Sequence, residues 1–154
     1  MVAASIEDIA FVDSCEQAVR RFIDNSEEVI GCVAWLTSPA IILSLARIRE
    51  CRIVVTADSV HNRASLGLHR VARQVGCARG RFRRLMHHKF IVRLVNGQPK
   101  EVLLGSYNFT RRSSQNIGES VVVIRDEHTA QQFASEADRL WRTSRPIRAR
   151  HARR

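Results

Sequence analysis

The sequence predicts an α/β sandwich, a mixed central sheet flanked by helices. Helical and strand patterns alternate through the first half of the 154 residues, and strands then follow one another closely after Gly80. Hydrophobic residues make up 45% and charged ones 26%, the balance of a folded chain with a buried core. This length corresponds to one domain of ordinary size. It is expected to span residues 1–141, with 142–154 as a basic Arg-rich tail.

The elements follow in order. Ser14 to Phe22 sets Ala18, Val19 and Phe22 at helical intervals behind Ser14 as N-cap. Glu28 to Leu36 is a nearly continuous apolar run, the pattern of a strand covered on both faces. Ser38-Pro39 opens a helix over Ala40 to Arg49, with proline in a first turn that does not need its N–H. Arg52 to Ala57 forms a second short strand. Ala64 to Val75 has helical spacing and ends at Gly76. Arg83 to Val95 and Glu101 to Gly105, separated by Asn96-Gly97-Gln98-Pro99, form a hairpin. Val121 to Ile124 adds a strand, and Thr129 to Trp141 closes the chain with Phe133, Ala137, Leu140 and Trp141 on one helix face.

Net charge is +10, and its distribution is uneven. Arg142, Arg145, Arg148, Arg150, Arg153 and Arg154 occupy the tail without an acidic residue, leaving only +4 for the rest of the chain. Interrupted by Pro146, the tail reads as a flexible basic arm suited to phosphates. No apolar stretch approaches the roughly 18 residues of a membrane span. Glu7, Asp8 and Asp13 near the amino terminus do not fit a secretory signal. Cytoplasmic residence without stable membrane association is the expectation. Cys15, Cys32, Cys51 and Cys77 are widely spaced and form no C-x-x-C pair, so they read as reduced, mostly buried thiols, with no metal, disulfide or cofactor expected. No helix-turn-helix or zinc module is visible, which argues against a sequence-specific reader.

The chemically informative segment is Leu85 to Ser120. Along a strand, residues two apart share a face, so His87 and Lys89 point together while His88 and Phe90 point to the other side. An imidazole and an ammonium on one face make a phosphate site. Gly105-Ser106-Tyr107-Asn108 ends the return strand of the hairpin and can lie close to that pair. Ser106 and Asn108 bring hydrogen-bond donors, and Gly105 permits close backbone approach. Tyr107 and Phe109 read as packing residues, and His61, His69, His128 and His151 as surface or core.

His87-His88-Lys89 followed by Gly105-Ser106-Tyr107-Asn108 resembles the H-x-K…G-S-x-N signature of the phospholipase D superfamily, and the flanking M-H-H-K-F and L-L-G-S-Y-N-F-T agree with it. The motif covers about a quarter of the chain. One position departs: the family Asp, five residues after the Lys, is Leu94 here, and neither Arg93 nor Val95 replaces it. By resemblance that Asp is supportive and stands outside the chemical step.

The resemblance implies a phospholipase D-like sandwich and a metal-independent phosphodiesterase. His87 is then the nucleophile that forms a phosphohistidine. A second motif histidine protonates the leaving oxygen and later activates water. One chain carries one motif and no internal repeat, so the second histidine is expected from another subunit of a homodimer, across a twofold axis through the site. Lys89 and Asn108 hold the nonbridging oxygens, Ser106 supports them, and Glu119 orients the imidazole. Small single-motif dimeric members resemble bacterial nonspecific endonucleases, and the basic excess favours a polyanion, so DNA is the first substrate expected. RNA stays open. The alternatives are a cardiolipin-type phospholipid hydrolase and, on account of Leu94, a catalytically silent nucleic-acid-binding dimer.

Overall fold

The computed structural model describes residues 3–11, 14–76 and 84–151, without the side chains of residues 7 and 8. One eight-stranded sheet runs through it: β1 (Ser5–Phe11), β2 (Glu28–Val33), β3 (Glu50–Thr56), β4 (Ala72–Val75), β5 (Lys89–Val95), β6 (Gln98–Gly105), β7 (Ser120–Arg125) and β8 (Arg145–Pro146). Their order across the sheet is β1-β7-β6-β5-β2-β3-β4-β8. β2 pairs in parallel with β3, and β3 with β4, while the other neighbours are antiparallel. The sheet is therefore mixed, as the sequence predicts.

Two hydrophobic clusters cover its faces. On one side α1 (Cys15–Asp24) and α2 (Pro39–Arg47) bury Val19, Ile23, Ile41 and Leu45 against Ile53, Val55 and Leu103. On the other, α3 (Glu127–Thr143) lays Ala130, Ala134 and Ala137 on Ile30, Val54, Phe90 and Val92, with Phe133, Leu140 and Trp141 at the margin. Successive residues of β2 point to opposite clusters, and all six are buried, which explains the apolar run that follows Glu28. Ser38 caps α2 by accepting from the Ile41 N–H, with Pro39 in the first turn. Ser14 stands at the N-cap of α1 but donates its hydroxyl to the Phe11 carbonyl instead of accepting from the helix. Asn96 and Gly97 turn the hairpin at φ of 51° and 75°, the left-handed geometry of a two-residue connection.

Three expectations change. Residues 64–75 do not form a helix: Ala64–Leu66 and Leu68–Arg70 make short 3-10 turns, and Ala72–Val75 is β4. Gly67 at φ 64° breaks the helical path, and pairing of Ala72–Val75 with β3 satisfies backbone that a helix would have bonded internally. The first hairpin strand starts at Lys89, while Leu85 to His88 lie outside the ladder and Arg83 lies outside the described residues. The basic tail also begins attached to the fold. Arg145–Pro146 pair with β4, Ile147 is buried, and Arg150 bonds through its backbone to Asn62 and Ala64. Apolar burial of Ile147 and these backbone bonds hold residues 145–150 in place; Arg153 and Arg154 lie outside the described residues.

Cys15, Cys32 and Cys51 are free thiols, and burial pushes Cys32 and Cys51 up to about 12, which keeps them neutral. Cys77 lies outside the described residues. His61 is a core histidine. Its Nε2 accepts from the Leu36 N–H at 3.2 Å, which leaves Nδ1 to donate to the Thr56 carbonyl at 2.9 Å. Burial lowers its pKa, so the folded protein holds it neutral where the unfolded chain begins to protonate. Below about pH 6.5 the unfolded state binds the extra proton first, and stability falls as pH drops through that window. Urea unfolding at pH values on either side is expected to show this acid-side loss in the wild type and a flatter dependence in His61→Gln. Equal slopes would contradict the assignment.

Candidate active site

The two motif segments meet because of strand register. Val33 at the end of β2 pairs with Lys89 at the start of β5, Phe90 pairs with Leu104, and Gly105 at the end of β6 pairs with Val121 in β7. One edge of the sheet thus gathers the ends of four adjacent strands. Gly105 allows this closeness: a Cβ there would collide with the backbone of Ser120 and Val121. The Ser106 N–H donates to the Ser120 carbonyl, and the Ser120 N–H donates back to Ser106 Oγ at 3.1 Å.

Lys89 folds back on His87. Its Nζ donates to the His87 carbonyl at 2.8 Å and lies 3.2 and 3.3 Å from the two ring nitrogens. The expected shared face of these two residues is therefore observed, and His88 packs its ring on Phe90 at 5.4 Å on the other side. His88 Nε2 also meets Glu136 of α3 at 3.2 Å. Partial burial lowers the Lys89 pKa, opposed by the negative charge of Glu119. His87, His88, Lys89, Gly105 and Ser106 line one open groove together with Phe90, Leu104 and Phe133.

Glu119 stands just ahead of β7, beside Ser106. Its two oxygens accept from Ser106 Oγ at 2.6 Å and from Asn116 Nδ2 at 2.7 Å, and no Glu119–His87 bond is present among the described residues. Both carboxylate oxygens are engaged by Ser106 and Asn116, so within the chain Glu119 braces the end of β6 and supplies negative charge near Lys89. Asn108 opens into a neighbouring cavity, and its Oδ1 is buried without a hydrogen-bond partner among the described residues. Tyr107 and Phe109 are fully buried, as expected of packing residues.

Leu94 sits in the α3-side core beside Phe90 and Val92. It lies five steps along the strand from Lys89, about 16 Å at a rise of about 3.3 Å each. A carboxylate there would be remote from the imidazole, which removes position 94 from the reacting centre.

Sequence reasoning missed Trp35. It reads as the last part of an apolar strand, yet its ring meets the His87 ring edge-on with centroids 5.7 Å apart. Its indole N–H donates to Asp58 Oδ2 at 3.2 Å. The segment carrying it ties both halves of the motif together: Ala34 N–H donates to the His88 carbonyl, Phe109 N–H donates to the Trp35 carbonyl, and Thr37 and Ser38 N–H both donate to the Phe109 carbonyl. The only sequence signal was an aromatic residue just ahead of the Thr37-Ser38-Pro39 helix start.

Known proteins share this fold. The family described as cardiolipin synthase, phospholipase D-like domain, matches residues 19–141. The mitochondrial cardiolipin hydrolase of Canis lupus familiaris is 33% identical over 63 residues, covering 41% of this chain and 23% of that protein. The chain thus corresponds to about a quarter of that relative's length. Among solved structures, Nuc, a phospholipase D family member from Salmonella typhimurium, superposes with a TM-score of 0.75 at 21% identity, over 96% of this chain and 100% of that one. NucT from Helicobacter pylori gives 0.72 at 17% identity, over 94% and 99%. A family match across most of the length, together with the phospholipase D fold, makes this chain a member of the phospholipase D-like phosphodiesterase family.

Proposed function

We propose that the chain is a metal-independent endonuclease acting on DNA through a phosphohistidine at His87, in an active site shared by two copies. The observation that carries this reading is the contact between Lys89 Nζ and both ring nitrogens of an exposed His87, in a groove that also holds Gly105 and Ser106. A phosphodiester repels nucleophiles through its own charge, so a fixed ammonium beside a neutral imidazole is the combination the reaction needs.

In the first step a His87 ring nitrogen attacks phosphorus, a P–N bond forms, and the P–O bond to the leaving group breaks. His87 of the partner subunit gives its proton to the departing oxygen. Water then attacks phosphorus, losing its proton to that same partner imidazole as the P–N bond breaks. Lys89 and Asn108 hold the nonbridging oxygens, and Ser106, braced by Glu119, fixes the rim. The shared site is supported by the single motif per chain and by Ile117, a fully exposed apolar residue in the loop that carries Asn116 and Glu119.

A net charge of +10 favours a polyanionic substrate. A second reading, hydrolysis of an anionic phospholipid, is favoured by the apolar groove wall of Phe90, Leu104 and Phe133 and by similarity to a protein named as a cardiolipin hydrolase. Incubation with plasmid DNA, single-stranded DNA and anionic phospholipid vesicles in excess EDTA separates the two. The expected result is cleavage of nucleic acid with chelator present, by a species that sediments as a dimer. Cleavage of lipid alone selects the second reading, and activity lost to EDTA or shown by a monomer contradicts the mechanism.

A further inference from the structure

The cavity on the Trp35 side of His87 has a character of its own. Apart from Trp35 and Val60 its lining is polar, with Thr37, Asp58, Asn108, Arg112 and Asn116 among the residues facing it. Trp35 joins this cavity to the reacting centre, because the same indole that lines it touches the His87 ring. The Trp35 side chain is also fixed. Asp58 accepts its N–H while its other oxygen, Oδ1, accepts from the Val60 N–H at 3.0 Å, and these bonds, the Val60 one foremost, hold the Asp58 carboxyl below the usual carboxylate range.

We propose that this cavity binds the nucleobase of the nucleotide adjoining the scissile phosphate, with Trp35 as its aromatic wall. The proposal rests on the nuclease reading above and names the subsite that makes the substrate a nucleotide. An aromatic side chain gives a base a stacking or edge contact independent of its sequence. With Asn108 turned to the phosphate, the Thr37 hydroxyl and the Asn116 amide of this cavity match the mixed donors and acceptors of a base edge, which an acyl chain could not satisfy. Arg112, exposed at the mouth, is placed to meet the next backbone phosphate. The groove on the motif side adds Phe90, Leu104 and Phe133 to its polar His88, Lys89 and Ser106, whereas the Trp35 cavity is polar apart from Trp35 and Val60, so the two differ in what they accept.

The test compares a short single-stranded oligonucleotide bearing one cleavable linkage with the same oligonucleotide carrying an abasic residue next to that linkage. Bis(4-nitrophenyl) phosphate serves as a diester without a base, and wild type, Trp35→Ala and Trp35→Phe are assayed on all three. Wild type is expected to show a KM about 10-fold higher for the abasic substrate, the scale of one lost aromatic–base contact. Trp35→Ala is expected to raise KM on the base-bearing substrate by a similar factor beyond any change it makes on the two substrates without that base, and Trp35→Phe to recover most of that difference. Equal kcat/KM of the wild type on the two oligonucleotides overturns the subsite, whatever the variants do. A Trp35→Ala loss in kcat/KM that is the same on all three substrates also overturns it, since Trp35 then only positions His87. If wild type cleaves bis(4-nitrophenyl) phosphate or phospholipid but neither oligonucleotide, the nuclease reading fails and takes the subsite with it.

Discussion

His87→Ala is expected to lower kcat on nucleic acid by at least about 10⁴-fold, because on the proposed mechanism it removes the group that forms the covalent bond and, in a dimer, the acid for the other site as well. The loss is catalytic and not structural. His87 is exposed and lies outside the strand ladder, and among the described residues its side chain meets Lys89 and Trp35, so the unfolding midpoint of the variant should match the wild type. A binding assay separates chemistry from affinity: DNA retention should persist in the variant, since Lys89 and the other cations remain. Wild-type turnover in His87→Ala would remove this residue from the mechanism, and a collapse in stability would mean that the contact with Trp35 is architectural.

Gly105→Ala costs both stability and activity. The added methyl falls on the Ser120 carbonyl and against Val121 Cα, backbone atoms that no rotamer change can move aside. β6 and β7 must separate at that point, at a cost of about 3 kcal/mol, the upper part of the range for overpacking. Separation also breaks the reciprocal bonds between Ser106 and Ser120 and so displaces the motif rim. Urea unfolding with parallel kinetics measures both effects. Gly118→Ala is the control, since a Cβ there meets nothing within 4 Å and stability should be unchanged. Equal stability of the two variants would contradict the close approach of β6 to β7.

Much of this was legible in the sequence because local and global signals agree. β2, β3, the hairpin, α2 and α3 follow from apolar runs, an Asn-Gly turn, Pro39 after a capping serine, and helical spacing in Thr129 to Trp141. The motif pair gave the groove, since residues two apart on an extended chain share a face. Other elements depend on tertiary contacts. β1 is an edge strand paired only with β7, with exposed Ile9 and Phe11, and its short, acid-interrupted run carries no strand signal of its own. Ala72–Val75 becomes a strand because β3 offers it a parallel edge, which outweighs the helical spacing around it. The carboxyl-terminal arginines read as a free arm because their charge is visible in the sequence and the burial of Ile147 is not. Trp35 was hidden for a similar reason: its contact with His87 spans 52 positions and exists only after β2 and β5 pair.

The central claim is a covalent bond between His87 and the substrate phosphorus. Rapid acid-free quenching of a reaction with a single-stranded oligonucleotide in excess EDTA, followed by proteolysis and mass spectrometry, tests it most directly. The account predicts a nucleotidyl phosphoramidate on the peptide containing His87, lost on mild acid treatment and missing from His87→Ala. An adduct on another residue, or full turnover in EDTA by His87→Ala, would contradict it.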